Sequence, residues 1–561
     1  MTVLGISLGF NSSASLWEDG KCLASISEER INGVRNTKDL PIEAARTCIE
    51  VGKCSDTSNI MLAYCFYEDL SNDYLAQHLN NKPGFNPDKP PVENLKNIFV
   101  ENLNIGISRV ERVEHHLAHA YSAYAVYGLH DDYTTLTMDG FGDAISARLT
   151  INGEVKAELP LIKSFALYYQ FVTGALGFKE HQHEGKVTGL STDAKLVHDC
   201  DTYEKVFMFF RRLYEDVEPL EKLSKEEEAL FHNSHIVGFD KFLQLKKTIY
   251  NFIKSIIPSN LELKDSSSEN YITKNLEAVA IAKAVQDFVV EGVCKFIAAY
   301  NDGKITKHLY LAGGLFANVS LNRKIGERFR YKHIYISPAM GDEGTAMGAA
   351  ALQFKENLKG FHPEYVISAG IPIIYDDYRE LTEEEIAATI CTAIDGVLHY
   401  CSDRSEFGPR ALMHRSSLFS AVNKEKTLEL NRAMQRSEFM PYAPVCCEES
   451  MDILFEEGYE KYEQSLQFMT VALKVLPWVK EKYPGAVHSD GTCRVQVLHK
   501  KIPCERKAWN IVHEYTKLTG ELLLINTSYN IHNKPTSASY KQCLHTHKES
   551  GFFGTLYMEE S

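Results

Sequence analysis

His115 and His119 stand four residues apart in Glu114-His115-His116-Leu117-Ala118-His119-Ala120. On a helix that spacing puts both imidazoles on one face, where two ring nitrogens can share one cation. His116 is turned away by about 100° and is the weaker ligand. Asp139 follows an apolar strand pattern at Thr134–Met138, and Asp342 sits in the turn-like Gly341-Asp342-Glu343-Gly344. Two imidazoles with two carboxylates suit Fe2+, Mn2+ or Zn2+ better than a soft ion. A solvated or capped pair of helix histidines has the same spacing, so the pair alone leaves both readings open.

A second set of residues suits anions. Gly313-Gly314 follows the apolar run His308–Ala312 and precedes helical spacing, where backbone N–H groups can approach a phosphate. Asn318 and Asn322, on the helix that follows, reach toward a ribose or phosphate. The alternative is a tight strand–helix turn. Lys186, in Glu184-Gly185-Lys186, either brings a cation to the same cleft or is a solvated loop lysine. Further along, Arg404, Arg410 and Arg415 lie in and beside Glu406-Phe407-Gly408-Pro409-Arg410-Ala411-Leu412, with Arg432 and Arg436 after them. Arg494 lies in Asp490-Gly491-Thr492-Cys493-Arg494-Val495-Gln496, and Asn526-Thr527-Ser528-Tyr529-Asn530 closes the set. Guanidinium forks match phosphate oxygens, although any single arginine also fits an acidic surface partner.

The elements that must position these groups read as α/β. Val3–Leu8, Ser13–Trp17 and Cys22–Ser27 are strands, with a turn at Asp19-Gly20. The pattern returns as Thr134–Met138, a loop Asp139–Asp143, Ala144–Ile151, a turn at Asn152-Gly153, and Val155–Leu159. Gly9-Phe10 with Ser13-Ala14-Ser15-Leu16 recurs as Gly140-Phe141 with Ser146-Ala147-Arg148-Leu149. This repeat predicts a duplicated, actin-like domain with a cleft between its halves, unless two hairpins coincide by chance. Helical spacing dominates about 200–300, interrupted by the polar loop Lys264–Glu269. These helices are structural or form a substrate lid. A second domain begins near residue 380, with strands at Val397–Tyr400, Arg494–Leu498 and Leu522–Ile525.

Composition sets outer limits. A chain of 561 residues holds roughly three to five domain-sized units. With 44% hydrophobic and 24% charged residues it has a globular core and is not disordered as a whole. The formal net charge of −15 gives no general attraction for nucleic acid or anionic lipid, though a local basic cleft is compatible with it. No apolar run reaches the ~18 residues of a membrane span, and Met1–Leu8 lacks the basic flank of a signal peptide. The 13 cysteines are scattered without a paired spacing, which fits a reducing, cytoplasmic setting.

Taken in order, these motifs resemble the NodU/CmcH family of O-carbamoyltransferases. The resemblance runs nearly end to end. It rests on Glu28-Glu29-Arg30, the His115–Ala120 run, Asp139-Gly140, Glu184-Gly185-Lys186-Val187, Gly313-Gly314-Leu315-Phe316-Ala317-Asn318 and Gly341-Asp342-Glu343-Gly344. It continues through the Glu406, Asp490 and Asn526 motifs and Pro441-Tyr442-Ala443-Pro444. It implies an actin-like transfer domain over 1–360, similar to the tRNA threonylcarbamoyl transferase, with the helical insertion. A linker over 361–380 and a YrdC-like domain over 381–561 follow. It also implies carbamoyl phosphate and ATP (with Mg2+) as substrates, carbamoyladenylate as intermediate, and a hydroxyl acceptor. Carried over by position, a divalent metal falls to His115, His119, Asp139 and Asp342, and catalysis to Asn11, Arg35 and Lys186. Nucleotide contacts fall to Gly313, Gly314, Asn318, Arg410, Arg415, Arg436, Arg494, Asn526 and Ser528.

The chain departs from the family where many relatives have histidine and aspartate in the first loop. Phe10 and Asn11 stand there, and neither takes a proton near neutral pH. Either His181, His183, Glu184 or a metal-bound hydroxide replaces the missing base, or the acceptor needs little help. Met434 and Met440 stand where basic residues are common. An aromatic at position 10 suits a flat acceptor such as a hydroxymethylated pyrimidine, free or in DNA. A sugar, antibiotic or alkaloid hydroxyl is the alternative. A tRNA substrate is disfavoured by the acidic balance, and a decayed nucleotide-binding scaffold is the reading without catalysis. A homodimer is the expected assembly, and no membrane partner is expected.

Overall fold

The structure is a computed structural model and describes residues 1–66, 79–80, 82–196, 200–216, 237–263, 268–300, 305–374, 380–393, 396–436 and 439–559. Part of the expected helical insertion (217–236), most of the expected Lys264–Glu269 loop (264–267) and part of the expected linker (375–379) lie outside the described residues.

Two sheets share one topology. The first contains β1 (Thr2–Leu8), β2 (Ser13–Glu18), β3 (Lys21–Ser27), β4 (Ile60–Phe66) and β5 (Ile107–Val113), in the order β3-β2-β1-β4-β5. The first three strands pair antiparallel, while β1, β4 and β5 run parallel. The second contains β6 (Tyr133–Gly142), β7 (Ile145–Ile151), β8 (Glu154–Pro160), β9 (His308–Ala312) and β10 (His333–Ile336), in the order β10-β9-β6-β7-β8. Here β6, β7 and β8 are antiparallel, and β6, β9 and β10 are parallel. The same order and sense occur twice, which is the duplicated actin-like arrangement. β1 and β4 are buried along their whole length, so their sequences run apolar without alternation.

Parallel strands need crossovers, and helices supply them. The longer helices are α1 (Ile42–Gly52), α2 (Pro91–Leu103), α3 (His115–Tyr127), α4 (Phe165–Ala175), α5 (Glu184–Leu190), α6 (Asp201–Asp216) and α7 (Val237–Lys254). They continue as α8 (Leu276–Tyr300), α9 (Val319–Arg328), α10 (Glu343–Leu352), α11 (Glu383–Thr392), α12 (Lys424–Ala433), α13 (Arg506–Thr519) and α14 (Tyr540–Glu549). α3 follows β5 just as α10 follows β10, so these two helices occupy equivalent places in the repeat. They pack against each other backbone to backbone. A Cβ on Gly348 of α10 would lie 1.8 Å from the Ala118 carbonyl oxygen of α3, and one on Gly5 of β1 would lie 2.1 Å from the Ala346 oxygen.

One expected boundary differs. Asp139 was expected to begin a loop, yet β6 continues to Gly142, with its ladder to β7 interrupted between Met138 and Gly142. Gly142 is required there, because a Cβ would fall 2.0 Å from the His115 ring.

The remaining strands belong to the C-terminal part. β11 (Val397–Cys401), β12 (Arg415–Ser420), β13 (Pro444–Cys447), β16 (Gln496–Leu498), β17 (Leu524–Ser528) and β18 (Thr555–Met558) form a mixed sheet in the order β16-β13-β17-β12-β11-β18. A small ribbon of β14 (Leu473–Lys474) and β15 (Thr492–Cys493) lies outside it. The strand expected at Arg494–Leu498 begins two residues later, at Gln496. Ile386 and Ile390 of α11, with Trp509 and Val512 of α13, cover one face against Leu398, Leu418 and Leu524.

The described part of the expected linker is packed rather than extended into solvent. Tyr365, Val366 and Ile367 are buried, Tyr365 meets the Trp17 ring edge-on at 5.3 Å, and Gly370 N–H donates to Ser405 O. Arg30 then ties the two parts together, donating to Thr536 O (3.0 Å) and Gly408 O (2.8 Å). All thirteen cysteines are unbridged, and among the described residues no helix is long and apolar enough to cross a membrane.

The α3–α10 crossing yields the first prediction. Gly348→Val must push the two helix backbones apart, and overpacking of this kind costs ~1–3 kcal/mol. Thermal melting should show a lowered midpoint, and metal content should fall with it. An unchanged melt would show that the crossing tolerates a side chain.

Candidate active site

Glu114 caps α3 by accepting the N–H groups of His116 and Leu117, which fixes where the helix starts. His115 and His119 are then one turn apart and both fully buried. Their Nε2 atoms lie 3.0 Å from each other, and His119 Nε2 lies 2.9 Å from Asp139 Oδ2. His115 Nε2 is 3.6 Å from Asp139 and 3.7 Å from Asp342, and His119 Nε2 is 3.5 Å from Asp342. One ligand atom from each of these four residues falls within 4.8 Å of the others, and no other such group occurs among the described residues.

The electrostatics fit a cation. Burial disfavours a charged His115, yet Asp139, Cys65 and Asp342 outweigh it and hold the imidazole well above its usual range. Burial also works against Asp139 ionising, but the two histidines hold it well below the carboxylate range. Asp342 is pushed up by burial and by Asp139. The carboxylates and imidazoles thus stabilise opposite charges on one another, and the same four ligand atoms suit a divalent cation. His116 stays outside the set: Thr137 Oγ1 meets its Nδ1 at 2.9 Å and Ile145 O its Nε2 at 3.3 Å. Because a carbonyl only accepts, Nε2 carries the proton.

Gly313 adopts φ +102°, and a Cβ there would lie 2.2 Å from Met138 O; one on Gly314 would lie 3.0 Å from Asp139 Oδ1. The glycine pair thus lets the strand that bears Asp139 approach closely. Asn318 corrects an expectation. It caps α9 by accepting from Leu321 N–H, and its amide pairs with Gln286 (Nδ2 to Oε1, 2.8 Å), so its polar groups are committed inside the protein. Asn322 likewise donates to Phe316 O and Thr470 O.

Asn11, in the left-handed region at φ +54°, donates to Glu343 Oε2 at 2.7 Å, while its own Oδ1 is buried without a hydrogen-bond partner. Glu343 was not singled out in the sequence. Burial pushes its carboxyl up to about 7, with Glu29 and Asp342 adding to the rise. Phe10 is half-buried, with its ring 4.7 Å from that of His181 and 5.5 Å from Lys38 Nζ.

The three proposed replacement bases differ. Gln170 Nε2 donates to Glu180 and meets His181 Nε2 at 3.0 Å, so that nitrogen accepts and the proton sits on Nδ1. His183 accepts from Lys179 N–H at Nδ1 and donates from Nε2 to Asn533 Oδ1. Both imidazoles have their lone pairs engaged. Glu184 accepts the His181 N–H, and burial pushes its carboxyl up to about 7. Lys186 is buried on α5, with Nζ 5.8 Å from the Phe178 ring centre.

The arginines separate into two kinds. Arg415 is fully buried and gives its guanidinium donors to five backbone carbonyls, of Ala538, Ser402, His414, Ile371 and Asp403. This corrects its expected phosphate contact, since no donor is left. Arg436 also spends its donors locally, on Thr527 Oγ1, Tyr442 OH, Ser528 O and Asn530 Oδ1. Arg410 is different. Its Nε is buried without a partner, and its one hydrogen bond reaches Ala317 O at 3.4 Å, in the Gly313–Asn318 loop. Burial, then Arg494 and Arg35, push its guanidinium well below the usual range, with Glu343 opposing. Arg494 and Arg35 are thus near enough for their charges to act on Arg410, and Glu343 is near enough to oppose them. Asn526 donates to Gln496 Oε1 (2.7 Å) and Ala411 O, and Ser528 Oγ donates to Asn530 Oδ1.

A family model described as Carbamoyltransferase N-terminus matches residues 71–351, and one described as Carbamoyltransferase C-terminus matches 391–560. The chain belongs to the carbamoyltransferase family, enzymes that transfer a carbamoyl group. It is 25% identical to nodulation protein NolNO of Sinorhizobium fredii, over 94% of this chain and 75% of that protein. It is 26% identical to the uncharacterized protein MJ1051 of Methanocaldococcus jannaschii, over 99% and 98%. Nodulation protein U of Sinorhizobium fredii is 31% identical over 41% of this chain and 40% of its own length. Among solved structures, full-length HypF in a phosphate- and nucleotide-bound form matches 64% of this chain and 56% of its own, at 14% identity and a TM-score of 0.29.

Two predictions follow from this geometry. Arg415→Lys cannot satisfy five carbonyls with three donors, so thermal stability should fall by more than ~2 kcal/mol, as for a broken buried network. A stable variant with a selective kinetic defect would restore Arg415 to ligand binding. His119→Ala should lower bound divalent metal, measured by elemental analysis, while leaving the melt of the C-terminal part in place. Equal metal content in variant and wild type would remove His119 from the ligand set.

Proposed function

We propose that the chain is an ATP-dependent O-carbamoyltransferase with two communicating sites. The observation that carries this reading is Arg410, which reaches Ala317 O in the Gly313–Asn318 loop while its Nε is left without a partner, in the field of Arg494 and Arg35. A guanidinium with an unmet donor among like charges favours an anionic ligand. The C-terminal, YrdC-like part activates the carbamoyl group: carbamoyl phosphate, ATP and water give carbamoyladenylate, phosphate and pyrophosphate. In the transfer step the acceptor oxygen bonds to the carbamoyl carbon, the bond to AMP breaks, and the acceptor proton leaves to a base. Glu184 is the best placed of the three candidates, since both imidazoles are engaged. His115, His119, Asp139 and Asp342 would hold a divalent ion, which would supply fixed positive charge near the transferred group.

The acceptor we favour is a flat heterocycle with a hydroxymethyl group, such as a hydroxymethylated pyrimidine, free or in DNA. Phe10 stands half-buried beside His181 in the loop that reaches Glu343, and base–aromatic stacking is worth ~1–3 kcal/mol. The unpartnered Asn11 Oδ1 in the same loop accepts an amino hydrogen of such a ring.

The reading is tested by pyrophosphate release from ATP with carbamoyl phosphate present. Arg494→Ala should suppress it, by the ~1.5–3 kcal/mol of a lost bond to a charged group. Wild-type release in this variant would take Arg494 out of the mechanism. The acceptor is tested by mass shift on a panel of hydroxymethylpyrimidines, sugars and polyols. Phe10→Ala should raise KM for a hydroxymethylpyrimidine and spare pyrophosphate release. Carbamoylation of sugars alone would overturn the heterocycle assignment.

A further inference from the structure

A second cavity lies at the far end of the second sheet. Its volume is about 330 Å³, and His130, His308, His333 and Tyr335 line one side of it. His308 and His333 open β9 and β10 and are paired directly across the parallel ladder. The Gly313–Gly314 turn follows the opposite end of β9, so about 13 Å of strand separates this cavity from the metal-ligand end.

The rings form a column. His130 and His308 stack with centres 4.4 Å apart and planes 12° apart, and His308 and His333 follow at 5.1 Å and 15°. Tyr335 lies within 12° of parallel to all three. Tyr310 gives its hydroxyl proton to Gly128 O, so its 2.6 Å contact with His130 Nδ1 requires the proton on that nitrogen. Burial pushes all three imidazoles down, His308 to about 4, with neighbouring cations contributing, so the column is uncharged near neutral pH. Parallel planes aim ring lone pairs side by side rather than at one point. That disfavours a single shared metal ion, and these histidines form no metal-ligand group among the described residues.

The rest of the lining supplies acceptors. Gln464 borders the cavity with a buried Oε1 that has no hydrogen-bond partner, and the exposed Glu463 adds a carboxylate. Lys461, also in the lining, donates to Gly326 O at 2.8 Å. An unsatisfied buried acceptor beside a stack of neutral rings matches a ligand that is flat and carries amino hydrogens at its edge.

We propose that this cavity binds a planar amino-heterocycle of the aminopurine class, at a site separate from the carbamoyl-transfer centre. The ligand ring extends the histidine column, and its exocyclic amino group donates to Gln464 Oε1 and Glu463.

The test is photolabelling of the full chain with 8-azidoadenosine, followed by peptide mapping. Label should appear on peptides containing His333–Tyr335 or Lys461–Gln464. Adenosine should compete for it at least tenfold better than purine riboside, the same ring without the amino group. Gln464→Leu should erase that tenfold preference, and His308→Ala, made separately, should reduce labelling at least fivefold. Absence of label on these peptides overturns the proposal, as does equal competition by the two nucleosides. Label elsewhere on the chain reports on the nucleotide site proposed above and serves as the check that each variant is folded.

Discussion

The site depends on the absence of one side chain. Because Gly348 has no Cβ, α10 lies directly on the Ala118 carbonyl of α3. His119 follows Ala118, and Asp342 immediately precedes α10, so two metal-ligand candidates from distant parts of the sequence are fixed through main-chain contact alone. Long side chains at such a crossing would add rotamer freedom and let the ligands drift, whereas close packing of glycine and alanine transmits position rigidly. Hydrogen bonds also tie α3 to the end of β10. Ser122 and Ser337 share one at 2.9 Å, and Tyr127 OH donates to Ile336 O at 2.7 Å. Asp139 enters from the other side through the strand that Gly313 admits.

The arginines show how one residue type serves two purposes in an acidic chain. Arg30, Arg404 and Arg415 spend their donors on carbonyl oxygens and so join segments that have no shared sheet. A planar fork with five donors suits that work because it can hold several loops in fixed relative positions. Arg410 instead keeps a buried Nε without an acceptor beside two other arginines. Structural arginines lower the cost of a buried polar boundary, while Arg410 raises it. That contrast is what favours the anionic ligand proposed for Arg410.

The sequence made the parts that depend on local spacing legible. The His115–His119 step, the repeated hairpins and the strand ending in Gly313-Gly314 are written within a few residues of one another, and the fold's duplication follows from them. Arg415 and Asn318 were misread because their partners, such as Ala538, Ile371 and Gln286, are brought near only by tertiary packing. Glu343 was overlooked for a related reason. It stood inside a motif read for its aspartate, and nothing local reveals that Asn11, 332 residues earlier, donates to it. The histidine column had no local signature either, since its members come from three strands or strand approaches that meet only in the folded sheet.

The pairing of Asn11 with Glu343 explains why an amide suits the first loop. Burial already drives the Glu343 carboxyl upward, and Glu29 and Asp342 add like charge. An aspartate at position 11 would aim another carboxylate at this cluster, whereas asparagine brings a donor that stabilises the ionised form. Its left-handed backbone, which asparagine tolerates better than most residues, turns the amide toward Glu343 and leaves the preceding Phe10 ring against His181. The loop therefore exchanges proton-transfer capacity for a fixed donor and an aromatic wall. Any base for the acceptor must come from another element, and α5, with Glu184 in its first turn, lies next to the residue that Phe10 touches.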